Sequence, residues 1–322
     1  MGFLDIFSNL FAGKKKSGKS KGKAKDTKSK SKEKAKAAPA KAPPKKKLPK
    51  INIEKRFDLI GRTGQGSMSK VWRARDKNLG KTVCLKVLDK EKTAKFEARF
   101  VGLKRPTEGT ILSELRHKNI VQTFEHGLTN KGEQFIVMEL VEGVGLNFLV
   151  ETKSDQLTEN LIDYLVQMAD GLDYMHKKGY IHRDICPRNV MVNQENVVKI
   201  IDLGLSIPYT PDFCKPGNRT GTPDYLAPEI IKRVTTDHKV DLFALGVTAF
   251  EMMTGQLPWE KADSMQTLLS HLNQAPRDPR EYKKDMSDEV AEFLLKAIER
   301  DPKDRFETAA DFRDAVKKLE ME

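Results

Sequence analysis

An α+β domain, with strands gathered in its first part and helices in its second, is predicted for residues 57–318 by three observations. Strand-like runs at Phe57–Ile60, Thr82–Leu88, Ile120–Phe124 and Gln134–Leu140 come before any sustained helical period. Apolar residues at helical spacing begin at Leu161 and recur through the rest of the chain. Charge, finally, is split along the sequence. Residues 1–50 hold 17 Lys, no Arg and three acids, a net of +14, whereas the whole chain carries +12, which leaves −2 on residues 51–322. The basic balance therefore belongs to a tail and not to the folded part. A length of 322 residues allows one large or two small domains with a substantial core.

Residues 1–12, MGFLDIFSNLFA, are predicted to form an amphipathic helix, with Phe3, Leu4, Ile6, Phe7, Leu10 and Phe11 in one arc. No basic residue precedes this stretch and Asp5 and Asn9 interrupt it, so it does not read as a signal peptide. Ile at position 6 disfavours myristoylation. The Lys-rich stretch 13–50 cannot build a core and is predicted to be a disordered linker. An apolar wedge followed by a polybasic run is the arrangement of an anchor on an anionic membrane surface. A docking helix on a solvated linker is the alternative. Nucleic acid is disfavoured, because the run lacks Arg and interleaved aromatics. Cys84, Cys186 and Cys214 are odd in number and form no CxxC pair, which predicts free thiols in a reducing, cytoplasmic setting. Peripheral attachment at the inner membrane face would follow from the anchor reading. No apolar run approaches the roughly 18–20 residues needed to span a bilayer.

After Pro49 the pattern changes. The strand at Phe57 leads into TGQGSMSKVWRARD, where Gly64 and Gly66 let backbone N–H groups come close to phosphate oxygens. A plain hairpin turn would explain a lone G-x-G equally well. Here a further strand ending near Lys86 follows, and the absence of a helix after the glycines argues against a dinucleotide-binding fold. Gly143 and Gly145 fit a change of chain direction. Leu161, Leu165, Met168, Leu172 and Met175 then mark a scaffold helix that stops at Lys177-Lys178-Gly179. The two methionines read as packing residues.

The most informative stretch is Tyr180–Asn189, YIHRDICPRN. It places one carboxylate, Asp184, five residues before one amide, Asn189, with a proline fixing the loop between them. Phosphoryl transfer to a hydroxyl needs this set. Asp184 can accept the hydroxyl proton, and the side-chain oxygen of Asn189 can hold a divalent cation. Short strands at Val190–Val192 and Val197–Ile201 then deliver Asp202 in a D-L-G turn, 18 residues beyond Asp184. The chain resembles the eukaryotic-type (Hanks-type) serine/threonine protein kinases in these motifs over about residues 57–318.

The resemblance implies a two-lobed fold, with a small antiparallel sheet lobe with one main helix over 57–141 and a larger helical lobe over 143–318. It implies ATP and Mg2+ at the junction. Lys86 would meet the α and β phosphates, paired with a helix glutamate for which Glu108 is the candidate and Glu97 and Glu114 are the alternatives. Pro106 and Gly109 flank Glu108, which predicts a helix starting late, at Pro106. Asp202 and Asn189 would ligate Mg2+. Thr63, Gly64, Gly66, Ser69, Val71, Cys84, Met138, Glu139, Val141 and Met191 would surround the nucleotide, with backbone groups of Glu139 and Val141 reading the adenine edge. His182 would be a packed structural residue. Arg183 marks a class whose following segment, with Ser206, Thr210 and Thr220, can be ordered by a phosphate.

GTPDYLAPE, residues 221–229, resembles the docking loop for Ser and Thr acceptors in protein substrates. Glu229 would pair with Arg305, and Asp241 would receive catalytic-loop N–H groups. Two departures stand out: Ser69 replaces the third loop glycine, and Cys186 replaces a lysine two residues after Asp184. Arg188 is the candidate source of the missing positive charge, with a purely local salt bridge as the alternative. The predicted activity is transfer of the γ-phosphoryl group of ATP to protein Ser or Thr, autophosphorylation included. The competing reading is a pseudokinase acting as a nucleotide-binding scaffold.

Overall fold

The structure, a computed structural model, describes residues 50–66, 69–217 and 219–319. The helix expected over 1–12 and the linker as far as Pro49 lie outside the described residues. Six strands make the first sheet: β1 (Lys50–Ile51), β2 (Phe57–Gly66), β3 (Ser69–Asp76), β4 (Lys81–Leu88), β5 (Thr123–Thr129) and β6 (Gln134–Met138), in the order β1-β5-β6-β4-β3-β2. Among the described residues of this sheet, only β1 with β5 is parallel. Alternation along β4 decides which side of this sheet carries chemistry. Val83, Leu85 and Val87 enter a core with Phe57, Ala74, Phe135 and Val137. Cys84, Lys86 and Leu88 therefore face the other way.

Several boundaries differ from the sequence reading. The strand expected over Ile120–Phe124 starts at Thr123. Ile120 instead makes an isolated bridge to Ile200, and Val121 N–H donates to the Ile200 carbonyl at 3.0 Å, so these apolar residues seal the junction between lobes. β6 stops at Met138, short of Leu140. Lys50, read as linker, already pairs in β1, and a short helix α1 (Ile53–Arg56) follows it. Arg56 explains why the fold begins here: its buried guanidinium pairs with Asp76 at 2.8 Å and Glu125 at 2.7 Å.

The small lobe holds two further helices, α2 (Lys90–Glu97) and α3 (Glu108–Glu114). α3 begins at Glu108 and not at Pro106, because Thr107 caps it by accepting the Thr110 N–H at 3.2 Å. Gly109 costs such a helix about 1 kcal/mol relative to Ala. Packing explains it, since a Cβ there would lie 2.5 Å from His126 Cβ on β5.

The large lobe opens with β7 (Gly143–Gly145), α4 (Leu146–Glu151) and the long α5 (Asp155–Lys177). Gly143 and Gly145 thus belong to a strand paired with β9 (Val190–Asn193) and do not simply turn the chain. A Cβ on Gly143 would meet the Val192 carbonyl at 2.0 Å. Leu161, Leu165, Met168, Leu172 and Met175 of α5 are all buried, as packing residues should be, and Gly179, two residues past the last helical residue, takes φ +79°. β8 (Tyr180–Ile181) pairs with β11 (Ile207–Pro208), and β9 pairs with β10 (Val198–Ile200). Helices α6 (Pro228–Lys232), α7 (Lys239–Thr254), α8 (Met265–Ser270), α9 (Asp288–Ala297) and α10 (Ala309–Val316) complete the lobe. Among the described residues no helix is long and apolar enough to cross a membrane.

Candidate active site

Lys86 stands at the centre of the junction. Its ammonium lies 2.7 Å from Glu108 Oε1 and 2.8 Å from Asp202 Oδ1. Of the three candidate partners, the structure brings Glu108 to Lys86. Glu114 instead accepts from the Tyr180 hydroxyl at 2.6 Å, and Glu97 from Gln134 at 3.3 Å. Burial alone would lower the Lys86 pKa. The two carboxylates outweigh it, so the ammonium is held above its ordinary range and stays charged.

The strand register gathers the other residues of this face. Val71 is directly opposite both Gly64 and Lys86, and Cys84 is opposite Met138. Gly66 is opposite Ser69, which is buried. Thr63 is exposed and sits at a register shift between Arg62 and Gly64. Val141 and Cys84 pack against the apolar cluster that contains Met138. The Glu139 carboxylate accepts from Lys199 at 2.8 Å and from Gln122 N–H at 2.7 Å, and its own N–H donates to the Gln122 carbonyl. Met191 is half-buried in β9 opposite Gly145.

The loop bearing Asp184 is fixed from below. Asp241, in the first turn of α7, is buried and accepts N–H bonds from His182 at 2.8 Å and Arg183 at 2.7 Å, while His176 Nε2 lies 2.8 Å away. Burial would raise the Asp241 pKa, but these partners hold it below the ordinary carboxylate range. Arg183 takes φ +69°, a conformation a non-glycine residue adopts only where its surroundings enforce it. His182 is fully buried, and its Nδ1 accepts the Asp184 N–H at 3.2 Å. That fits the structural role expected of it.

Asp184 itself is held at both ends. Asn189 Nδ2 donates to the Asp184 carbonyl at 2.7 Å and to Oδ2 at 2.9 Å. Thr222 donates to Oδ1 twice, from its N–H at 2.7 Å and its hydroxyl at 2.8 Å. In the sequence Thr222 stands out only as part of a docking-loop motif. Its direct hold on Asp184 is a site feature that sequence reasoning misses, although it sits inside the GTPDYLAPE motif. Burial raises the Asp184 pKa, Thr222 and His182 pull the other way, and the nearby Asp202 adds to the rise. The net direction is upward, which makes the carboxylate a stronger base.

Asp202 adopts φ +58°, and its Oδ1 also accepts the Gly204 N–H at 3.1 Å. Lys86 more than offsets burial and keeps this carboxyl below its ordinary pKa. Its side chain is 42 % exposed, so the ionised carboxyl can be reached from outside. Both Asn189 contacts to Asp184 require its nitrogen, which leaves its oxygen for a cation. Among the described residues no cluster of three or more His, Cys, Asp or Glu could hold a metal alone. One carboxylate and one amide suit Mg2+, which completes its shell with phosphate oxygens and water.

Cys186 is buried, with Sγ 3.8 Å from Thr222 Oγ1. Burial pushes its thiol up to about 12, so it is neutral and supplies no charge. Arg188 is exposed, and its charge acts to lower the pKa of Glu251, which burial nonetheless holds above the ordinary range. Glu251 in turn accepts from the Tyr225 hydroxyl. Ser206 is fully buried and donates to the His182 carbonyl at 3.3 Å, which sets it apart from Thr210 as an accessible acceptor.

Comparison with known proteins agrees with this geometry. A family model described as a protein kinase domain matches residues 57–316. A probable serine/threonine-protein kinase of Clostridium perfringens is 30% identical over 270 residues, covering 83% of this chain and 38% of that protein. Aurora kinase of Saccharomyces cerevisiae is 34% identical over 268 residues, covering 81% of this chain and 69% of its own. The serine/threonine-protein kinase PknB of Mycolicibacterium smegmatis is 30% identical over 274 residues, covering 81% and 42%. The chain thus spans about two fifths of the length of several of these relatives.

Proposed function

This chain belongs to the protein kinase domain family, and from that premise we propose that it transfers the γ-phosphoryl group of ATP to Ser and Thr hydroxyls of proteins. The observation that carries the reading is that two hydrogen-bonded groups, Lys86 with Glu108 and Asp202 and Asp184 with Asn189, lie side by side: Ile201 N–H donates to the Asn189 carbonyl at 2.9 Å, and the Asp202 charge acts on Asp184. Mg2+-bound ATP would supply the phosphoryl group and the cation that neutralises it. Lys86, kept charged by two carboxylates, would hold the α and β phosphates. Asn189 and Asp202 would hold the cation. Thr63, Gly64, Gly66, Ser69, Val71, Cys84 and Met191 would enclose the nucleotide, with Met138, Glu139 and Val141 at the adenine. Asp184 would orient the acceptor hydroxyl and take its proton, with Thr222 and Asn189 fixing the carboxylate in place. Preference for Ser and Thr rests on the loop from Thr222 to Pro228 and on the names of the relatives.

The neutral Cys186 thiol leaves the lysine position without charge, and we assign Arg188 the task of supplying part of it. Incubation with γ-labelled ATP, Mg2+ and a mixed protein substrate, followed by phosphoamino-acid analysis, tests both points. Label on Ser or Thr is expected, on the substrate and on the chain itself, with slower transfer by Arg188→Ala. Absence of label with intact nucleotide binding would favour the scaffold reading, which the Cys186 and Ser69 departures support. A parent rate in Arg188→Ala would remove that residue from the mechanism.

Residues 1–50 support a further proposal, tethering to an anionic membrane surface. Each Lys near such a surface contributes about 1 kcal/mol, and an apolar wedge adds burial. Co-sedimentation with vesicles rich in acidic lipid is expected, and to weaken at high salt. Equal binding after deletion of residues 1–12 would rule the wedge out.

A further inference from the structure

Between α2 and α3 runs a charged stretch whose sequence showed no chemistry, and one of its residues reaches the site. Arg105 Nε donates to the Ser206 carbonyl at 2.8 Å, and its terminal nitrogen donates to the Gly204 carbonyl at 2.7 Å. The guanidinium lies over the rings of Phe96 at 5.0 Å and Phe100 at 5.9 Å. Phe100 in turn meets Phe213, further along the same segment as Ser206, with ring centroids 5.8 Å apart. Burial pushes the Arg105 pKa down to about 10, and nearby Arg183 acts in the same direction.

Its place in the chain matters. Pro106 follows directly and restricts Arg105 to extended backbone, Thr107 caps α3, and Glu108 opens it. One rigid stretch therefore holds Lys86 through Glu108 and the D-L-G turn through Arg105. Gly204 is pinned on both sides, its N–H by Asp202 Oδ1 and its carbonyl by Arg105. Asp202, two residues earlier, needs such support because φ +58° is costly for a residue with a Cβ.

We propose that Arg105 is a positioning residue for phosphoryl transfer, fixing Asp202 by clamping the carbonyls of Gly204 and Ser206 to the start of α3. The bonds are made to backbone oxygens and need no phosphate on the segment. The proposal rests on the kinase reading for its rate effect but not for its structural effect. It acts through Asp202 and does not touch the reactants.

The test compares the full chain with Arg105→Ala and Arg105→Lys. Three quantities are measured: kcat and KM for ATP, amide hydrogen exchange over residues 203–208, and the thermal midpoint. Misplacing a reacting group by about 1 Å can cost roughly 10²-fold in rate. Arg105→Ala is therefore expected to lose about 10- to 100-fold in kcat, with faster exchange at 203–208. Lys can reach one carbonyl at a time, so Arg105→Lys should fall between parent and Ala. A lowered midpoint with parent kcat and parent exchange would overturn the proposal and leave only a packing role. Should the Ala variant fail to fold, the Lys variant carries the test, and parent rate with parent exchange in it is the overturning result. Should the parent transfer no phosphate, the kinase reading fails by itself, and unchanged exchange in Arg105→Ala would still overturn the clamp.

Discussion

Replacing Asp202 with Asn is expected to cut phosphoryl transfer by at least about 10²–10³-fold, because the amide keeps the shape of the side chain but loses the charge that the proposed mechanism sets against the cation. Asp202 does two things at once. Its Oδ1 carries half of the pairing to Lys86, at 2.8 Å, and its side chain is still 42 % exposed, which leaves the carboxyl reachable by a cation. Lys86 keeps Glu108 at 2.7 Å in the variant, so the ammonium stays in place and the loss falls on the metal side. Titrating Mg2+ at fixed ATP checks this. The Asn variant should need more Mg2+ to reach its lower plateau, and an unchanged Mg2+ dependence would show that Asp202 does not ligate the cation.

The second large effect concerns stability. Arg305 donates to both oxygens of Glu229 at 2.8 Å, and both residues are buried. Breaking such a pair costs about 3–5 kcal/mol. The two single variants should not be equal. Arg305 also donates to the carbonyls of Glu299, Lys239 and Arg300, so in Glu229→Ala the guanidinium keeps three acceptors. In Arg305→Ala the Glu229 carboxylate is left buried without its cation. Urea unfolding is expected to place Glu229→Ala near the lower figure and Arg305→Ala near the upper. Equal stability to the parent in Arg305→Ala would mean that the pair does not anchor the docking loop.

Much of this was legible in the sequence where a residue's chemistry and its spacing coincide. Asp184 and Asn189 sit five residues apart in one short loop, so their hydrogen-bonded pairing is legible in the chain itself. The Lys86–Glu108 pair is harder to read, because its partners are 22 residues apart across an irregular stretch and three glutamates compete. Tertiary packing decided that case. Gly109 allows α3 to lie against His126, which sets the helix register and hence which glutamate faces Lys86. Boundaries failed where apolar residues serve the junction and not a sheet, as at Ile120 and Val121. Arg56 and Arg105 were invisible for a common reason. Each is a charged residue in a polar stretch, and only the fold shows that one is buried against two carboxylates and the other aimed at two carbonyls.

The central claim is that Asp184 acts as a carboxylate on the acceptor hydroxyl, and the pH dependence of single-turnover transfer tests it most directly. Burial holds the Asp184 pKa above the ordinary value of 3.8, and the base works only when ionised. The parent rate should therefore fall as pH drops through that raised pKa, with its acid limb above the ordinary Asp range. Asp184→Asn should be about 10²–10⁴-fold slower, with the limb gone and ATP affinity close to the parent's. A variant that transfers phosphate at the parent rate, or that keeps the same acid limb, would contradict the account.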